Sequence, residues 1–230
     1  MKPSIPNLLS FNGGYVDTAG YLALQGLFTA HVTGNFATVG AALVFGTSGV
    51  VAKLLALPVF CVFIVGTRLM GLGLARAGRP VLQTLLTLQL VLLMIGAALA
   101  LGLGPFRDGD AWQAVLTGMT LVAAMACQNA VHRIHLPSSP PSTLMTGTTT
   151  QIMVDIADVL HGLTPDNRDV ILSRLRRMSV AVAAFAAGAA AAALLFREVA
   201  MGCFLAPPLV ALLARLAPPV EPLPAPARGG

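Results

Sequence analysis

Long apolar runs separated by short polar clusters set the pattern of this chain. Residues 54–75 form a clear membrane-length run despite Pro58, Gly66 and Arg68, and 81–103 form the cleanest one. The runs 114–131, 178–196 and 199–216 repeat the pattern, and Arg197-Glu198 reads as a tight turn between the last two. A first candidate span, about 9–28, is poorer because it carries Asn12, Asp17, Thr18 and Gln25. A carboxylate at a helix centre costs about 2.5–3.5 kcal/mol on insertion scales, so Asp17 is expected to face the bundle interior, an aqueous cavity or a partner.

Two further stretches have a helical pattern but are too short to span. Residues 33–45 and 146–160 would each cover only ~20 Å of a ~30 Å hydrocarbon core at 1.5 Å per residue. The second also contains Gln151, Asp155 and Asp158. Each follows a related polar step, Phe28-Thr29-Ala30-His31-Val32-Thr33-Gly34-Asn35 in the first half and Ser142-Thr143-Leu144-Met145-Thr146-Gly147-Thr148 in the second. The pattern predicts two re-entrant half-helices buried in protein. The expected fold is an all-α polytopic membrane protein of about six transmembrane helices, a 3+3 inverted repeat with one short half-helix in each half.

An eight-span alternative, with both short segments crossing fully, competes with this. The six-span reading puts ten Lys/Arg on the N-terminal side and three opposite, leaving Arg68 aside; eight spans divide them nine to four. Charge bias hardly separates the two, and the shortness and polarity of 146–160 favour six, with both termini cytoplasmic.

Composition strengthens the membrane reading. The chain is 56% hydrophobic and 10% charged with mean hydropathy +0.81, against about 45–50% and 25% in ordinary soluble domains. The net charge of +5 does not point to nucleic acid, because the Lys and Arg residues cluster at the ends of apolar runs. Cys61, Cys127 and Cys203 are few, scattered and set in apolar sequence, so they read as packing residues. The N-terminal stretch lacks the pattern of a removable signal peptide. One membrane domain over 1–217 is expected, with repeat halves at about 8–104 and 111–217, followed by a disordered proline-rich tail at 218–230.

Several motifs, taken in order, carry a resemblance. Asn12-Gly13-Gly14-Tyr15-Val16-Asp17-Thr18-Ala19-Gly20, the 28–35 step, Gln128-Asn129-Ala130 and Thr146-Gly147-Thr148 resemble the successive signatures of the YoaK-like family of bacterial membrane proteins, named as a domain of unknown function. Val32 stands where that pattern has methionine. The resemblance implies a multi-pass bacterial inner-membrane protein of about six spans, and supplies no substrate, cofactor or catalytic residue.

The candidate chemistry lies at the breaks. A helix that begins inside a membrane presents unpaired N–H groups and the positive end of its dipole. Thr33 or Asn35 would cap the first half-helix and Thr146 or Thr148 the second, with Gly34 and Gly147 allowing close approach of a solute. Together with Gln128, Asn129 and Gln151 these residues are the candidate binding site for a small polar or anionic solute. The plainer alternative makes the Thr-Gly steps caps and packing points only. Asp17 could couple protons, ligate a cation or neutralise Arg68, whose depth matches its own; Arg68 could instead snorkel to the interface. His31 could titrate or serve as a structural hydrogen-bonder. Thr148, Gln151, Asp155 and Asp158 share one helical face that lines either a polar pathway or a wet surface.

His132 and His135 lack companions at ligand spacing, so no metal is expected, and no cofactor motif is present. Phosphate loops, nucleophile elbows and zinc-protease patterns are missing, which leaves an enzyme reading resting on buried carboxylates alone. A permease or channel-like transporter is the leading reading; a non-transporting sensor or membrane-embedded enzyme is the alternative. The expected partners are the bilayer and the solute, with self-association left open and nucleic acid excluded.

Overall fold

The structure is a computed structural model, and it describes residues 4–143 and 145–218. Among these all regular structure is helical. The order is α1 (Ile5–Ala23), α2 (Asn35–Phe45), α3 (Val50–Arg76), α4 (Val81–Leu103), α5 (Trp112–His135), α6 (Met145–His161), α7 (Pro165–Val199) and α8 (Ala206–Leu216), with 3-10 turns at Val32–Gly34 and Ala200–Leu205. Four stretches are long and apolar enough to cross a membrane: α3, α4, α5 and Asn167–Leu216. These long apolar helices are compatible with a membrane protein.

Burial runs against hydropathy, as expected where the solvent is lipid. In α3 only 22% of the most apolar window is buried, whereas in the more polar α5 the figure is 72%. Helix α1 misses the apolar criterion altogether, yet 13 of its 19 residues are buried, Asn12 and Asp17 included. Helices α1 and α5 are therefore the core, and α3, α4 and α7 present much of their apolar surface outward.

Glycines set the closest contact, between α1 and α7. A Cβ on Gly14 would strike the backbone carbonyl of Phe185, and one on Gly188 the carbonyl of Phe11. Backbones at that separation exclude any side chain, which is how helices pack without a hydrophobic drive. Tyr15 Oη then donates to the carbonyl of Cys203 at 2.8 Å, pinning the turn before α8 onto the same helix.

The helix ends are held by side chains from distant sequence. Helix α1 stops at Gln25 and Gly26, both with positive φ, and Gln25 Nε2 donates to the Phe106 carbonyl at 3.0 Å. The first turn of α3 begins after Gly49 at φ 92, and the N–H groups of Gly49, Val50, Val51 and Ala52 all donate to the carboxylate of Asp110. A helix leaves its first four N–H groups without internal partners, and here one carboxylate meets that need. Gly109 N–H also donates to Ser48 Oγ at 2.9 Å. The end of α1 and the turn from α2 to α3 thus both sit on the 104–110 turn. At the other end of the molecule Ile5, Leu9, Val131, Leu136 and Ala214 share one cluster, which gathers the start of α1, the end of α5 and the end of α8.

Several expectations need correction. Residues 199–216 are not one continuous helix, and Arg197-Glu198 is not the turn: α7 runs unbroken through both to Val199, and the turn comes at Ala200, where φ is 46. Pro207 and Pro208 then restart the helix as α8, where a missing N–H costs nothing. Likewise 165–199 is a single helix of 35 residues, ~52 Å at helical rise, so its arginine-bearing start extends past any ~30 Å core. Helix α6 is not enclosed by the chain, since Met153, Val154 and Leu160 are exposed; α2 likewise exposes Leu43, Val44 and Phe45. Apart from Pro218, the expected disordered tail lies outside the described residues.

Candidate functional site

The stretch 28–35 closes on itself. Asn35 Oδ1 accepts from Phe28 N–H and Asn35 Nδ2 donates to Phe28 O, each at 2.8 Å, so one amide side chain mimics a pair of backbone hydrogen bonds. Gly34 makes room for it, because a Cβ there would lie 3.1 Å from the Phe28 ring. The loop tip is bound to α1 by Asp17. Its Oδ1 accepts from the N–H groups of Thr29, Ala30 and His31 at 2.8, 2.7 and 3.2 Å, and its Oδ2 lies 2.6 Å from His31 Nδ1. With Oδ2 this close to Nδ1, the pair is arranged for His31 to carry a proton on Nδ1 and donate it to the carboxylate.

The second break is held by amides at the same spacing. Thr143 Oγ1 donates to Asn129 Oδ1 at 2.6 Å, and Gln128 Nε2 donates to Ser142 Oγ at 3.1 Å. Each pair is 14 residues apart, as are Asp17 and His31. Gln128 is fully engaged: Nε2 also donates to Leu9 O, while Oε1 accepts from Gln89 Nε2 and Asn12 Nδ2. Beyond the break, α6 buries Thr148, Ile152 and Asp155. Arg174 grips Asp155 through Nη2 at 2.6 Å and Nε at 2.9 Å, and Gln151 Nε2 adds a third donor. The Arg174 guanidinium, more than any other group, holds the Asp155 carboxyl below its usual range.

Both breaks line one cavity of about 850 Å³. The first contributes Ala30, His31, Val32 and Thr33, the second the run from Leu136 to Thr143; α3, the end of α5 and the start of α7 close the rest. Its charged lining is cationic: Arg68 from α3, Arg133 from α5, Arg174 and Arg177 from α7. Of these only Arg174 has a carboxylate partner among the described residues. Among the described residues no carboxylate lines the cavity, and Asp17 meets it through the ring of His31. The arrangement favours an anion over a cation by simple charge.

Of the candidate residues, Thr33, Asn129, His31 and Arg68 line the cavity. Asn35 and Gln128 are buried as the clasp and hub just described, and Gly34 serves the clasp. Thr146 and Gly147 are exposed, and a Cβ on Gly147 would meet nothing within 4 Å, so no close approach depends on it. Gln151 and Asp155 belong to the seat of α6 on α7, and Thr148 is buried. Of the alternatives open for Asp17, pairing with Arg68 is not the one seen, since Asp17 pairs with His31; the expected cap of α2 by Thr33 or Asn35 is overturned, since α2 has no side-chain cap. Among the described residues no group of three metal-ligating side chains occurs.

Sequence reasoning missed Arg133, Arg174 and Arg177 as cavity residues, taking them only as end-of-helix charges. It also passed over Gln89, a lone buried amide in the cleanest apolar run, which on polarity grounds should have signalled an interior contact.

The fold and cavity define a class, an all-helical membrane-type protein whose two chain breaks share a cationic cavity. A family model described as "Protein of unknown function (DUF1275)" matches residues 6–217, and the chain belongs to that family. The match is to this family as such, and the narrower YoaK-like assignment stays a resemblance of motifs. Neither the search of curated proteins nor that of solved structures returned a match.

Proposed function

We propose that this protein is a permease or channel-like transporter of a small anionic solute, and that the solute occupies the cavity shared by the two breaks. The observation that carries the reading is the convergence of 30–33 and 136–143 on one space lined by Arg68, Arg133, Arg174 and Arg177. Paired breaks in a membrane bundle commonly hold substrate near the midplane.

The topology that goes with this has six crossings, namely α1, α3, α4, α5, α7 and 200–216, arranged as two oppositely oriented halves in a single membrane domain. Its support is the pattern of contacts at the ends. The excursion through α2 leaves and returns at the 104–110 turn, while the excursion through α6 leaves α5 and returns to the arginine-bearing start of α7. The start of α1 and the end of α8 share the end where those arginines lie; charge bias supports reading that end as cytoplasmic, and the motif resemblance supports a bacterial inner membrane. Movement of one half against the other gates the cavity. The outward apolar faces of α2 and α6 meet lipid or further copies of the chain.

Flux tests the function. Vesicles containing the purified chain are expected to release at least one of a series of small inorganic and carboxylate anions faster than empty vesicles. The double variant Arg68→Gln, Arg133→Gln should cut that flux at least tenfold while still folding. Absence of flux for the whole series, with turnover in detergent, would instead favour a membrane enzyme built on the Asp17–His31 carboxylate–imidazole pair, whose geometry suits a general base. Topology is read separately by single cysteines at the exposed positions Thr47 and Ser138 in a cysteine-free chain. Thr47 should label from outside and Ser138 from inside, and the reverse would restore the eight-span arrangement.

A further inference from the structure

We infer that the Asp17–His31 pair is a proton-binding site coupled to the anion cavity, so that a proton on His31 and an anion among the arginines strengthen each other's binding. This rests on the cavity being the solute site and adds the coupling ion to it. Asp17 has one oxygen filled by three backbone N–H groups and the other by His31 Nδ1, and its side chain is only 5% exposed. Protonating it would forfeit those bonds. His31 is 34% exposed and lines the cavity, and with Nδ1 committed to Asp17 its proton-accepting atom is Nε2. The step is a plain protonation: a proton from cavity water adds to Nε2 and later returns to water, and the pair changes from a net single negative charge to neutral.

The sign of the coupling follows from the groups around the ring. From α1 there is Asp17; across the cavity stand Arg68 on α3, His132 and Arg133 on α5, and Arg174 and Arg177 on α7. The α7 residue against the ring itself is Phe185, in an edge contact with centroids 5.5 Å apart. Helix α2 and the 136–143 segment contribute no charged residue. Asp155 answers Arg174 alone, so Arg68, Arg133 and Arg177 hold the cavity positive and oppose a further proton while it is empty. An anion between them removes that opposition. By linkage, the proton must then increase anion affinity by the same factor. Anion and proton would enter together, as in symport.

Histidine NMR on the full-length chain reads this directly, with His31 identified by the signal lost in His31→Gln. Chloride, nitrate and sulfate serve as probes, since none titrates in the range used. At least one should raise the thermal unfolding temperature of the protein, and that anion should move the His31 titration midpoint upward by about one pH unit, equivalent to roughly tenfold tighter anion binding at low pH than at high. Arg68→Gln should shrink the movement, and His31→Gln should leave anion binding independent of pH. An anion that stabilises the protein while the His31 midpoint stays fixed overturns the coupling and leaves the anion site standing. Failure of these three and of the carboxylate anions of the flux series to stabilise the protein overturns the cavity reading, and this inference with it.

Discussion

The two breaks solve the same problem with different chemistry. In each, a side chain on the preceding helix reaches 14 residues ahead to hold a segment that has left helical geometry. At the first it is a carboxylate, Asp17, gathering three backbone N–H groups and an imidazole; at the second it is a pair of neutral amides, Gln128 and Asn129, meeting hydroxyls. Irregular backbone at membrane depth survives only where its polar groups find partners. The hydrogen bonds at each break supply such partners, and the difference in residue type shows where charge is concentrated. The first tip carries a titratable ring of its own, His31, and the second carries none, its nearest titratable neighbour in the cavity being His132 on α5.

Of the polar contacts at the two breaks, the Asp17 carboxylate should cost most to remove. Asp17→Ala would leave three N–H groups and His31 without their common acceptor, and a loss of about 3–5 kcal/mol is expected from removing one partner of a buried charged network. Thermal or denaturant unfolding in detergent checks it. Asp17→Asn keeps an acceptor oxygen and should lose less, and equal losses would mean that the charge itself holds the tip.

On the amide side, Gln128→Leu is expected to cost about 1–3 kcal/mol, because it strands the buried donors of Gln89 and Asn12 together with Ser142. A loss matching that of Asp17→Ala would end the distinction between a charged and a neutral break.

A smaller effect belongs to the outer contact. Asp155 is held below its usual range by Arg174, so its contribution is present at neutral pH and is lost as pH falls through its folded-state value. Asp155→Asn should therefore cost about 1 kcal/mol or less, since Arg174 is partly exposed, and should make the stability of the α6 seat insensitive to acid. Hydrogen exchange along α6 follows that loosening. Gly147→Ala sharpens the contrast from the other direction: with open space around it, no change beyond a few tenths of a kcal/mol is expected, while Gly188→Ala should be strongly destabilising.

Hydrophobic pattern alone determined the helical class, the long apolar runs and the two short interrupted segments, because a lipid-facing helix must be apolar along its whole length and a gap in that pattern is visible in one dimension. It also picked out Asp17, His31, Thr33, Arg68 and Asn129, since polar residues in such sequence are costly enough to stand out. Partners were not legible. That Asp17 holds His31 rather than Arg68, that Asn35 clasps Phe28 instead of capping α2, and that Asp110 caps α3 from beyond α4 are contacts set by how helices distant in sequence come together. The cavity is the clearest case. Arg133 and Arg177 read as ordinary charges at helix ends, and only the return of both breaks to one space made them its walls.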